Sequence, residues 1–75
     1  MTREEFEASG NLAKTATCTN RKSANDWARD FSDWYEGTWV TVAGDGYFEV
    51  LPLRLYEPWR GRISARFNGG QRVTA

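Results

Sequence analysis

The chain contains no histidine and a single cysteine among its 75 residues. A structural zinc site takes about four Cys or His ligands, so that staple is excluded, and one cysteine allows no internal disulfide. The lack of histidine also removes the commonest general base, and no serine or cysteine stands in a recognisable nucleophile setting. No glycine-rich loop follows a strand and opens a helix, which leaves phosphate binding of the P-loop kind unsupported. Gly44-Asp45-Gly46 is too short for a calcium loop. Cys18, among small polar residues, reads as inert, with Arg21 and Lys22 close enough in sequence to lower its pKa slightly. These absences point away from catalysis, and neither metal nor cofactor is expected. Long apolar runs are missing as well, both at membrane-spanning length and as an N-terminal signal core. No membrane association is expected, and a lone cysteine without a secretion signal fits a reducing cytoplasm.

What the chain has instead is aromatic bulk: four Trp, four Phe and three Tyr. Each such side chain buries roughly 150–250 Å², so a few can stand in for a larger aliphatic core. One domain of this size buries only about 60% of its unfolded surface, and a partner or second copy would complete a core that proved too small. The formal net charge is zero but unevenly placed. Residues 1–49 carry nine acids and five bases, whereas residues 50–75 carry five arginines against Glu57 alone. That asymmetry predicts either a two-signed surface or complementarity between two layers of the fold.

The clearest helix spans residues 24–36. At 100° per residue, Ala24, Trp27, Ala28, Phe31, Trp34 and Tyr35 fall within an arc of about 120°. Asp26, Arg29, Asp30, Asp33 and Glu36 occupy the other side, where Arg29 can pair with Asp26 and Asp33. Ser23 reads as N-cap with Asp26 three residues on, and Gly37 as the C-terminal stop. Upstream, Thr2-Arg3-Glu4-Glu5 has the capping-box pattern of a short helix over residues 3–9, docked through Phe6, with an interrupted helix through Leu12 and Ala16 as an alternative. Residues Lys14–Lys22 read as a loop, although Thr15, Thr17 and Thr19 alternate as an edge strand would.

Downstream, three strands are predicted at about 38–43, 47–56 and 61–67, joined by Gly44-Asp45-Gly46 and Glu57-Pro58-Trp59-Arg60-Gly61. Leu51, Leu53 and Leu55 would share one face of the second strand, with Pro52 forcing a bulge or a local edge. The last seven residues read as a flexible tail. The expected fold is a small two-layer α+β domain: the main helix packed on a three-stranded antiparallel meander, with a short N-terminal helix. The parts would be 1–22 (short helix and loop), 23–68 (core) and 69–75 (tail).

Two features stand out as candidate partner-binding residues. Strict alternation in the third strand would put Arg60, Arg62, Ser64 and Arg66 on one face, and the second strand could add Arg54 and Tyr56. An arginine-bearing face with an aromatic suits phosphates or stacked bases, but a one-sided sheet also needs a polar outer face, and arginine serves there. Trp59 beside Arg60 at a turn is the second feature, since Trp, Tyr and Arg anchor interfaces. The acidic helix side reads most simply as solvated surface. The expected function is a small non-enzymatic protein-binding module, an inhibitor or adaptor of the kind mobile elements such as phages encode. A nucleic-acid-binding domain using Arg54, Arg60, Arg62 and Arg66, with Tyr56 or Trp59 stacking, is the alternative, weakened by the zero net charge. Pairing of two copies through exposed aromatics would give a homodimer.

Overall fold

A computed structural model of the chain describes residues 2–9 and 15–73. Lys14 of the expected loop, Leu12 of the alternative helix and the last two residues of the expected tail lie outside the described residues, whereas Ala16, to which that alternative helix would run, begins a strand. In chain order the elements are α1 (Arg3–Ala8), β1 (Ala16–Cys18), α2 (Arg21–Trp34), β2 (Thr38–Ala43), β3 (Phe48–Pro52), β4 (Arg62–Asn68) and β5 (Gln71–Arg72). Helix α2 packs on a five-stranded antiparallel sheet of order β1-β3-β2-β4-β5, a compact α+β domain with a short N-terminal helix.

Helix α2 begins two residues before Ser23. Asn20 is its N-cap, its side-chain oxygen accepting from the Ser23 N–H at 2.8 Å, so Ser23 is the bonded third residue. Asn ranks among the best N-caps, and an early start lets Lys22 meet Asp26 one turn on, at 3.1 Å. The helix ends at Trp34, with Tyr35 extended as C-cap and Gly37 at φ 103 turning the chain into β2. The predicted apolar arc is the packed face: Ala24, Ala28 and Phe31 are fully buried, and Trp27, Trp34 and Tyr35 pack on the same cluster. Phe31 is its centre, with ring centroids 4.3 Å from Phe6, 5.5 Å from Trp34 and 5.2 Å from Trp39. Arg29 pairs with Asp26 at 3.7 Å and lies over the Phe67 ring.

Helix α1 docks through Phe6, as its capping box and one buried aromatic suggest. A second tie holds it: the Tyr35 hydroxyl donates to Glu7 at 2.8 Å, and Arg3 donates to the same oxygen at 2.9 Å while lying over the Tyr35 ring. Desolvation, reinforced by the bonded Glu7 carboxylate, raises the Tyr35 pKa.

Strand β2 is the axis of the sheet. Its residues Trp39 to Val42 are all buried, which a strand covered on one face only would not show. Trp39 and Thr41 face α2, where the Thr41 hydroxyl bonds Asn25 at 3.2 Å. Val40 and Val42 face the other way, into a separate cluster with Leu51, Leu55, Tyr56 and Ile63. Strands β3 and β4 flank β2 on opposite edges and both run antiparallel to it. They are therefore parallel to each other, and the connection between them crosses the back of β2 instead of making a meander turn. Residues 53–61 form this strap, through 3-10 turns at Leu53–Leu55 and Pro58–Arg60.

The strap replaces the second half of the predicted strand at 47–56. Pro52 has no N–H to extend the ladder, and pairing stops there. The three leucines accordingly do not share a face beneath the helix. Leu51 is buried under the strap, Leu55 half-buried within it, and Leu53 exposed.

The sheet gains two short strands at its edges. Ala16–Cys18, in the stretch favoured as loop, pairs with β3. Gln71–Arg72, in the stretch read as tail, pairs with β4 through a Gly69-Gly70 turn with φ 60 and 80, the two positive angles a type I′ hairpin requires. The Gly70 N–H donates to the Ser32 hydroxyl at 3.0 Å, fastening that turn to α2.

Candidate functional site

The strap decides where the singled-out residues lie. Tyr56 turns inward onto the back cluster, and its hydroxyl donates to the Gly61 carbonyl at 2.6 Å. Gly61 sits at φ 133, and a Cβ there would collide with the Ala43 carbonyl, so the close approach of strap to β2 requires glycine. Tyr56 is thus a brace of the strap, and its expected place on an open arginine face is corrected.

The arginines separate too. Thr41 pairs with Ala65 but Val42 pairs with Ile63, so Ser64 is an extra residue bulged out of the ladder. The bulge inverts the alternation. Arg66, opposite Val40, lies on the strap side, whereas Arg62, opposite Ala43, lies on the helix side. Arg54 rides on the first 3-10 turn at the far end of the strap, lining a groove of about 330 Å³ with Glu36, Thr38, Pro52 and Leu53. The single face expected for Arg54, Arg60, Arg62 and Arg66 does not form. A one-residue bulge is invisible to strict period-2 counting, which is why the alternation predicts one face where the strand presents two.

Trp59 and Arg60 do form a unit. Pro58 starts the second 3-10 turn at a position where no N–H is needed, and the Arg60 N–H closes it on the Glu57 carbonyl at 2.9 Å. The turn leaves Trp59 76% exposed, the most exposed of the large apolar side chains described. Arg60 is held from two sides. Its guanidinium lies 4.6 Å from the Trp59 ring centroid and donates to Glu49 on β3 at 3.0 Å. The side chains of this pair are only 22% and 17% exposed, so solvent screens it less than a surface pair. A cation over an indole contributes about 0.5–1 kcal/mol at an exposed site. The arrangement is a tryptophan displayed on a braced turn: strand β3 fixes Glu49, Glu49 fixes Arg60, and Arg60 supports one side of the indole. Glu49 is the member of this unit that the sequence alone does not point to.

No group of three or more His, Cys, Asp or Glu residues that could hold a metal occurs among the described residues. Burial pushes the Cys18 thiol up, opposite to the lowering anticipated from Arg21 and Lys22. No helix among the described residues is long and apolar enough to cross a membrane. Comparison with protein-family models, with curated proteins and with solved structures finds no match to this chain.

Proposed function

We propose that the chain is a non-enzymatic protein-binding module, an inhibitor or adaptor of the kind encoded by mobile elements such as phages, and that Trp59 is the anchor it inserts into a partner. The observation that carries this reading is the 76% exposure of Trp59 on a turn braced by the Arg60–Glu49 pair. Burying an aromatic side chain contributes about 1.5–3 kcal/mol, and the fold leaves most of that unused while spending a partly buried ion pair to hold the neighbouring residue still. Preorganised aromatic and arginine anchors are what binding hot spots are made of. The dispersal of Arg54, Arg60, Arg62 and Arg66 over separate surfaces favours a protein partner over a nucleic acid, which needs a continuous basic track.

Affinity capture with the intact chain as bait, compared with Trp59→Ala bait of equal circular dichroism, tests the reading. The expected result is a partner retained by the first and lost by the second. Equal capture by both baits contradicts it, as does oligonucleotide binding that weakens steeply with salt. A concentration-dependent dimer abolished by Trp59→Ala would identify the partner as a second copy.

A further inference from the structure

On the face of the sheet opposite the strap, at the end nearest Gly44, a cross-strand row runs Arg62–Ala43–Phe48 through β4, β2 and β3. Alanine in the middle of this row, between two long side chains, leaves a floor. Above it is a cleft of about 280 Å³ lined by Arg21, Ala43, Arg62, Ile63 and Ser64. Arg21 is the first residue of α2 and lies over the Phe48 ring, 5.5 Å from its centroid, which stations it on one side of Ala43. Arg62 opens β4 on the other side. Ser64 joins them because the bulge removes it from the alternating ladder.

Three observations give the cleft its chemistry. Its described lining includes two arginines, a serine and no acidic residue. Neither Arg21 nor Arg62 belongs to an ion pair among the described residues, although four other pairs form. The positive end of the α2 dipole adds to the same potential. An arginine fork pairs with two oxygens of a phosphoryl group, so two arginines from separate elements can share one tetrahedral oxyanion. The volume exceeds that of one phosphoryl group and leaves room for whatever is esterified to it. Arg54, Arg66 and Arg72 lie elsewhere, so the site is a single pocket and not a stretch of backbone track.

We propose that this cleft binds a phosphate monoester, with Arg21 and Arg62 clasping the phosphoryl oxygens and the Ser64 hydroxyl donating a third hydrogen bond. The inference is independent of Trp59, which lies on the other face.

The test is a titration of the ¹⁵N-labelled full chain, at neutral pH and matched ionic strength, with sodium phosphate, adenosine monophosphate or sodium chloride. Phosphate and adenosine monophosphate should each give saturable shifts at Arg21, Ala43, Arg62 and Ser64, and chloride none. Arg62→Gln should weaken both by about tenfold or more, as loss of a charged hydrogen-bond partner does. Ala43→Leu should do the same by filling the floor while keeping both arginines; were it not to fold, Arg62→Gln carries the test alone. Non-saturating shifts, or shifts of equal size at Arg54 and Arg72, would overturn the site. Saturation by phosphate with adenosine monophosphate excluded would overturn the monoester.

Discussion

The two faces of the sheet are closed by different physics. On one, a helix with a 3.6-residue period lays Ala24, Ala28 and Phe31 onto Trp39, Val50, Ala65 and Phe67, an aromatic core extended by Phe6 from α1. On the other, nine residues without a periodic element cover Val40, Val42 and Leu51 with Leu55 and Tyr56. The first face is closed by bulk and the second by a strap held at a few points: the Tyr56–Gly61 bond, the Gly61 approach to Ala43, and the Arg60–Glu49 pair. A strap makes a poorer lid than a helix, but it can hold a side chain out to solvent on a short, braced turn. The packing face and the display face of this molecule are therefore the two sides of one sheet.

Substitutions can break this contrast in order of expected effect. Phe31→Ala removes the ring that Phe6, Trp34 and Trp39 all contact and should cost about 3–5 kcal/mol, measured by urea unfolding. Gly61→Ala forces a Cβ against the Ala43 carbonyl at a left-handed φ and should cost about 1–3 kcal/mol, while leaving the far-ultraviolet spectrum of the helix intact. Tyr56→Phe keeps the ring on the back cluster and loses only the bond to Gly61, for about 0.5–1.5 kcal/mol, read in the same assay. If Tyr56→Phe cost as much as Phe31→Ala, the strap would be a principal core element and the contrast would fail.

The helix side was legible because its signal is local. The spacing of Trp27, Phe31 and Trp34 needs no knowledge of the sheet to be read. The helix start was misplaced by the competition of two good caps, Asn20 and Ser23, three residues apart. The strap side was not legible, for three reasons. Leu51, Leu53 and Leu55 alternate as a strand would, so the end of β3 rested on Pro52 alone, which was read as a bulge. The placing of β4 on the far edge of β2 is a tertiary choice; its trace in the sequence is that Trp39–Val42 offers buriable side chains to both faces and no charge to either. The bulge at Ser64 left no local mark. Conversely, Gly69-Gly70 between Asn68 and Gln71 is a two-residue hairpin signal in the sequence itself, inside the stretch expected as tail. Trp59 was legible as a candidate from Pro58 and the turn; its brace, Glu49, became visible only when β3 was placed beneath the strap.

Trp59 lies outside both cores, and the unfolding free energy of Trp59→Ala in urea tests that most directly. The predicted result is a value within about 1 kcal/mol of the parent, the scale of the lost contact with the Arg60 guanidinium at an exposed site. A loss of about 3 kcal/mol or more, the scale of a buried tryptophan, would put the indole in the core and contradict the proposal that Trp59 is held out for a partner.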